Sequence, residues 1–269
     1  MTKQIVSDEL WEWVEPLLPR SSLKNRNVQY AGRKRSDNRK VFTGIVFALK
    51  TGIPWEYLPA TSEWPSGHTC LRRLKEWHRA GVWEKFFAKL LGELRTKKKI
   101  DWRRAIVDSA SLRAPHGGPK TGPSPVDRRK QGSKHHIMTD GKGIPLAVIL
   151  TAANRNDVTQ LLPLLEKIPN IPGKVGRPQR RPKKVQGDRG YDSEPLRKDL
   201  KKKGIEPVLA KRGTPHGSGL GKHRWVVERT LSWLHQFRKL KVREERDPET
   251  HEALMMLACC VICHRFLKR

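Results

Sequence analysis

Apolar residues in the first hundred positions recur every three to four places, which predicts a run of amphipathic helices. Ser7 and Asp8 can cap a first helix that Pro19 would end, and Ser36 with Asp37 can cap a second. The apolar side of the second helix consists of Val41, Phe42, Ile45, Val46 and Leu49.

Two shorter helices are predicted over 66–79 and 82–94, separated at Gly81. The first has an apolar side and a basic side, and the basic residues expected to face outward are Arg72, Arg73, Lys75, His78 and Arg79. Such a pair fits a helix-turn-helix that reads the major groove of DNA. A plain helical bundle with a charged surface explains the same pattern, so both interpretations stay open. Residues 1–100 are accordingly predicted to form a helical, DNA-binding domain.

Beyond this point short apolar runs alternate with helical segments, which is typical of an α/β domain over residues 101–269. Runs at 104–109, 184–188 and 205–210 predict buried strands, and Asp140-Gly141-Lys142-Gly143 between two further runs predicts a hairpin. Helices are predicted over 158–168, 193–203, 222–240 and 249–267.

Three segments rich in basic and turn-forming residues are predicted to be loops. They are 20–35, 113–134 and 171–184. The second is long for a structureless loop in a compact domain, which indicates either a function or disorder. The third contains no acid, so it is either solvated or in contact with phosphate.

The charge balance changes the picture from a generic α/β protein to one that binds a polyanion. The chain of 269 residues has 56 Lys and Arg against 27 Asp and Glu, a formal net charge of +29. A surface that only confers solubility normally mixes both signs, so nucleic acid is the expected partner.

The cysteines and the apolar runs exclude other classes. Four cysteines, three of them clustered, do not resemble a secreted disulfide framework, and Cys260-x₂-Cys263 with His264 lacks the companions of a zinc site. Core packing is therefore expected for them. The longest apolar run, 253–263, is shorter than the ~20 residues of a membrane helix, and the N-terminus lacks a signal peptide core. A cytoplasmic protein with no membrane partner is predicted.

Three acids form a candidate metal site. Asp108 and Asp188 end separate predicted strands, so they can lie side by side at one edge of a sheet, and Glu228 lies on a narrow polar stripe of an otherwise apolar helix. Carboxylates brought together repel one another unless cations lie among them, and Mg²⁺ prefers such oxygen ligands. Two such ions can stabilise both oxygens of a phosphodiester in reaction. The alternative is structural, with each aspartate paired to an arginine and Glu228 paired to Arg224.

Three other acids are interpreted as residues of turns and helix starts. Asp140 lies in a tight turn, Asp157 in a helix start, and Asp192 before the helix at 193–203.

Short motifs along almost the whole chain resemble bacterial insertion-sequence transposases of the DDE type, in the large insertion-sequence-five group. The N-terminal motifs are Pro16-Leu17-Leu18-Pro19, Asp37-Asn38-Arg39, Gly52-Ile53-Pro54-Trp55, Leu58-Pro59 and Gly81-Val82-Trp83-Glu84. The later motifs are Val107-Asp108-Ser109, Gly143-Ile144-Pro145-Leu146, Ala153-Asn154-Arg155-Asn156-Asp157, Gly187-Asp188-Arg189-Gly190-Tyr191-Asp192, His223-Arg224-Trp225-Val226-Val227-Glu228-Arg229-Thr230 and Trp233-Leu234. In the family signature Tyr-x₂-Arg-x₃-Glu-x₆-Lys, Gly221 replaces the Tyr and His235 the Lys.

The resemblance implies an RNase H-like mixed sheet with flanking helices, preceded by the helical helix-turn-helix-like domain. It implies that Asp108, Asp188 and Glu228 are catalytic and bind Mg²⁺, with Mn²⁺ as a substitute. It also implies cleavage at transposon ends and joining of the 3′-OH to target DNA, by a homodimer or larger assembly on double-stranded DNA. The expected phosphate contacts are Arg224 and Arg229, with Lys134, His135 and Lys222 as weaker candidates.

Two other functions fit parts of the pattern. A DNA-binding, repressor-like protein without catalysis explains the charge and the helices but gives the strand-end aspartates no role. An RNase H-like nuclease that cuts without joining explains the acids equally well.

Overall fold

The structure is a computed structural model that describes residues 4–19, 35–171, 178, 180–213 and 221–268; of Gly221 and Lys222 it describes the backbone alone. Residues 20–34 of the first predicted loop, and residues 172–177 and 179 of the predicted linker 171–184, therefore lie outside the described residues.

Within the described residues of the N-terminal part there are four α-helices, and they begin where the sequence predicts. They are α1 (Asp8–Val14), α2 (Asn38–Thr51), α3 (Gly67–Arg79) and α4 (Val82–Thr96). The Ser7 hydroxyl accepts from the Leu10 N–H at 3.3 Å and the Asp37 carboxylate from the Lys40 N–H at 2.9 Å, so both predicted caps are confirmed. Gly52 ends α2 in the left-handed conformation (φ +77°).

A six-stranded mixed sheet forms the centre of the second part. Its strands are β1 (Ala105–Arg113), β2 (Gly122–Pro123), β3 (Gln131–Asp140), β4 (Pro145–Ala152), β5 (Lys184–Gly187) and β6 (Glu206–Leu209). The order is β2-β3-β1-β5-β6, and β4 also pairs with β3. Pairs among β1, β3 and β4 are antiparallel, whereas β1, β5 and β6 run parallel. The fold class is thus a mixed α/β sheet with flanking helices, as predicted.

Helices cover both faces of the sheet. They are α5 (Leu161–Glu166), α6 (Glu194–Lys202), α7 (Gly221–Gln236) and α8 (Pro248–Lys268). Ile106 of β1 and Ile137 of β3 pack against Val226, Val227 and Leu231 of α7. Helices α5 and α8 contribute to the main core on the other face.

The main core is continuous from the N-terminal helices to the sheet. Helix α8 packs along α4 and against α3 and β4, and residues from Val6 to Cys263 belong to one buried apolar cluster. All four cysteines are buried and free, which confirms their predicted core role. By length and composition α8 qualifies as a membrane span, but 72% of its most apolar window is buried within the protein.

The segment 113–134 differs from its prediction as one long loop. Strand β1 extends to Arg113, β3 begins at Gln131, and β2 lies between them. β1 and β3 pair in antiparallel register from Ala105↔Asp140 to Arg113↔Gly132. These cross-strand hydrogen bonds override the weak strand propensity of the small and polar residues in this segment. The predicted helix over 158–168 is a 3₁₀ turn at Asp157–Gln160 followed by α5.

Because α4 packs on α8, a cavity in α4 should weaken the whole protein. Leu90 is fully buried, and Leu90→Ala is expected to lower the free energy of unfolding by about 2–5 kcal/mol in a single transition. Urea unfolding followed by far-UV circular dichroism measures this. Lys85→Ala, at an exposed position of the same helix, should change it by less than about 0.5 kcal/mol. Two separate transitions, only one of them shifted, would contradict the expectation.

Candidate active site

The parallel pairing of β1 with β5 brings the first two acids together. Ala105 pairs with Val185 and Ile106 with Gln186, so Asp108 lies in β1 just beyond the paired segment and Asp188 directly follows β5. Asp108 and Asp188 thus lie on neighbouring parallel strands, as the sequence predicts, although β1 continues to Arg113 and does not end at Asp108.

Glu228, the third acid, lies on α7. Arg224, one turn earlier on the same helix, lies among all three acids. Arg224 Nη2 is 3.4 Å from Asp108 Oδ2 and 3.4 Å from Glu228 Oε1, and Arg224 Nη1 is 3.8 Å from Asp188 Oδ2. The acids are therefore neither scattered nor each paired with its own arginine. Three carboxylates share one guanidinium, which leaves an excess of two negative charges.

Asp108 is the most enclosed of the three, with 14% of its side chain exposed. Burial raises the pKa of this carboxyl, while the Ser109 N–H (2.8 Å) and Arg224 favour its charged form and Asp188 disfavours it. A cation in addition to Arg224 would relieve this cost. The donor chemistry of the three acids suits a hard divalent ion. Within the described ranges, however, no three His, Cys, Asp or Glu side chains are close enough to share one, because Arg224 lies at the centre.

A fourth acid, which the sequence assigned to a helix start, also borders this site. Asp157 Oδ1 accepts from the Ser109 hydroxyl at 3.0 Å and from Lys134 Nζ at 2.9 Å, and lies 3.6 Å from His136 Nδ1. Burial lowers the pKa of His136 to about 4, so this histidine is neutral at pH 7. Asp157 ends the Ala153–Asp157 motif of the family resemblance, and that motif was the signal that could have identified it.

The basic face predicted for α3 is only partly realised. The expectation that Arg73 faces outward is wrong: it is 4% exposed, its guanidinium lies 5.0 Å from the centre of the Trp77 ring, and it donates to Asn38. Lys75 pairs with Asp247 at 2.8 Å, and Arg79 with Glu249 at 3.1 Å. Among the basic residues that the sequence placed on this face, Arg72 and Arg79 are the exposed ones within the described part of the chain.

The other predicted phosphate contacts are also engaged within the protein. Lys134 is 8% exposed and binds Asp157 as well as the Arg155 carbonyl (3.0 Å), so its expected role at the DNA surface is not supported by its position. His135, expected to be a weak phosphate contact, is fully buried and hydrogen-bonds to His251 at 2.9 Å, so that expectation is wrong. The side chain of Lys222 lies outside the described residues.

Arg229 lies on the outer side of α7. Its guanidinium lies 4.7 Å and 4.6 Å from the ring centres of Trp225 and Trp233, and it donates to the Lys142 carbonyl at 2.6 Å. These contacts fix α7 to the β3–β4 turn, so Arg229 has a structural role whatever else it binds.

The strand order, with Asp108 and Asp188 on neighbouring parallel strands, defines an RNase H-like mixed sheet with flanking helices. A model of the transposase DDE domain matches residues 102–263, and a model described as a putative transposase of the IS4/5 family matches residues 6–87. The chain belongs to the DDE transposases of bacterial insertion sequences. Members of this family carry out phosphoryl transfer on DNA and typically use divalent metal ions.

Individual relatives agree with this assignment. The chain is 59% identical over 167 residues to a putative transposase for insertion sequence element IS402 of Burkholderia cepacia, covering 62% of this chain and 77% of the relative. It is 48% identical over 125 residues to an uncharacterized 16.2 kDa protein of the same element, covering 46% of this chain and 84% of that protein. The fold resembles piggyBac transposase in a synaptic complex with hairpin DNA, with a TM-score of 0.51 and 11% identity over 98% of this chain and 73% of that one.

Removal of the Asp108 charge should stabilise the protein. A carboxyl whose pKa is raised by folding favours the protonated state, so its contribution to stability is present below about pH 4 and is lost as the pH rises through the folded-state pKa. Asp108→Asn, which keeps the acceptor for Ser109, should therefore melt at a higher temperature than the wild type at pH 7.

Thermal melts across pH 4–8 measure this difference, which should shrink towards pH 4. Asp199→Asn on α6, where the carboxylate is 44% exposed beside Lys202, is the matched control and should differ little from the wild type at any pH. A lower melting temperature for Asp108→Asn at pH 7 would show that the Arg224 contact outweighs burial.

Proposed function

We propose that the protein cleaves phosphodiester bonds at the ends of an insertion sequence and joins the resulting 3′-OH ends to target DNA, with Mg²⁺ as cofactor and Mn²⁺ as a substitute. The observation that carries the proposal is the convergence of Asp108, Asp188 and Glu228 on the single guanidinium of Arg224 at one sheet edge. A purely structural ion pair needs one acid for each arginine, whereas three acids leave charge for further cations.

Each residue has a distinct task in this proposal. Asp108, Asp188 and Glu228 would hold the metal, which when bound activates water and stabilises the attacking and leaving oxygens. Arg224 is 31% exposed and can turn from the carboxylates towards a DNA phosphate, where its planar fork suits bidentate contact. The rigid β1–β5 pair and α7 hold the carboxylates in place for the reaction.

DNA recognition is proposed for the N-terminal part. The net charge of +29 supports binding to double-stranded DNA, and Arg72 on α3 is an exposed candidate contact. In this proposal residues 1–100 bind DNA and 101–269 carry the chemistry, in a homodimer or larger assembly on the bacterial chromosome in the cytoplasm.

A DNA-binding repressor without catalysis is the second candidate. The observation in its favour is that Arg224 already compensates part of the acidic charge without a metal. A nuclease that cuts without joining is distinguished by its products.

Catalysis is tested with DNA that carries the element's own ends, incubated with the protein and Mg²⁺. The wild type should nick these ends and transfer them to a target plasmid. Asp108→Asn and Asp188→Asn should each reduce cleavage by about 10³-fold or more, equivalent to about 4 kcal/mol in the barrier. Asp199→Asn should retain activity. Tight DNA binding with no cleavage by the wild type would favour the repressor, and cleavage without joining would favour the nuclease.

The role of α3 is tested by the salt dependence of binding. Arg72→Ala should weaken binding to the element's ends and reduce the slope of log K against log salt by about 1, because one phosphate contact is lost. Fluorescence anisotropy over a potassium chloride series measures the slope. Lys85→Ala, at an exposed position on α4, is a charge-matched control and should leave the slope unchanged. An unchanged slope for Arg72→Ala would place the DNA elsewhere.

A further inference from the structure

Asp157 is held at the site by one of its two oxygens. The Ser109 hydroxyl and the Lys134 amine both donate to Oδ1, at 3.0 Å and 2.9 Å. Ser109 is the neighbour of Asp108 in β1, so the hydrogen bond ties the 3₁₀ turn that begins at Asp157 directly to the strand that carries the first catalytic acid.

The other oxygen of Asp157 points into the space that Asp188 borders. A β-carbon placed on Gly190 would lie 2.9 Å from Asp188 Oδ1 and 3.5 Å from Asp157 Oδ2. Both carboxylates therefore border the same small volume. Asp188 accepts there from the Gly190 N–H at 2.8 Å, so its position is also fixed.

A buried hydroxyl near these acids is an independent sign of a missing partner. Tyr191 is 1% exposed, and its hydroxyl has no hydrogen-bond partner among the residues that the structure describes. Burial raises the pKa of Tyr191 well above its ordinary value, and the charges of Asp157, Asp108 and Asp188 raise it further. A buried polar group without a partner is costly, and a metal-bound water in this space would satisfy it.

The charge count points the same way. Asp157 with Lys134 is a neutral pair, in which the 8% exposed lysine compensates a charge that would otherwise repel Asp108 and Asp188. Lys134 thereby allows a fourth carboxylate to lie beside the other acids, with Oδ2 available as an oxygen ligand.

We infer that Asp157 is a fourth carboxylate of the metal site, which binds the divalent ion or one of its waters through Oδ2 while Ser109 and Lys134 hold Oδ1. The inference rests on the proposed function, since Asp108 and Asp188 must bind the metal for Asp157 to assist. Loss of a residue that supports a metal through its water typically reduces affinity by 10–100-fold.

The test is Mn²⁺ binding by the full chain without DNA, measured from the electron paramagnetic resonance signal of free Mn²⁺. Asp157→Asn should raise the Kd by about 10–100-fold. Asp199→Asn is the surface control.

The outcomes separate this inference from the proposed function. Absence of saturable Mn²⁺ binding in the wild type, or an unchanged Kd in Asp108→Asn, would overturn the proposed metal site and the inference with it. Weakened binding in Asp108→Asn together with wild-type binding in Asp157→Asn would overturn the role of Asp157 alone.

A measurement on the wild type avoids dependence on the folding of Asp157→Asn. Fe²⁺ in place of Mg²⁺, with ascorbate and peroxide, generates hydroxyl radicals that cut the backbone beside the bound ion. Cuts are expected near residues 157, 108 and 188, and excess Mg²⁺ should suppress all three together. Cuts near 108 and 188 without one near 157 would overturn the assignment.

Discussion

The repulsion among the carboxylates of Asp108, Asp188 and Glu228, beyond the paired residues of β1 and β5, is the constraint on which the second part of the chain depends. The side chain of Asp108 is only 14% exposed, and its charge is costly there. Arg224 offsets part of that cost by contacting Asp108, Asp188 and Glu228 at once. Because one guanidinium cannot neutralise three carboxylates, the site keeps a local excess of negative charge even though the protein as a whole is strongly basic.

The same constraint explains why α7 is anchored so firmly. Its inner side packs on Ile106 and Ile137, and on its outer side Arg229 lies between Trp225 and Trp233 and bonds to the β3–β4 turn. The helix is thereby fixed relative to β1. Under the proposed function, the Arg224 side chain would leave the carboxylates by rotation about its own bonds, with no movement of the helix.

Much of this arrangement could be predicted from local sequence signals. Apolar periodicity and capping residues predict the helices. A short β-branched run before Asp108 and a short segment before Asp188 predict the two strands that pair in parallel. These signals are local, so each can be recognised within a single segment of the chain. The extension of β1 to Arg113 could not be predicted, because its stability comes from pairing with β3 across a segment rich in glycine and lysine.

The positions of charged side chains were the least predictable feature, since a charge reads as exposed until its partner is known. Arg73 is buried over Trp77, and Lys134 is buried because Asp157 lies beside it. Each of these side chains binds a partner from a distant part of the chain, and the periodicity of the sequence does not detect such a partner. Asp157 illustrates the consequence: alone it resembles a helix start, and only the approach of the turn at 157–160 to the turn at 189–191 brings it beside Asp188. In a protein with this excess of positive charge, an acid held beside other acids by a buried lysine carries more information about function than any exposed lysine or arginine.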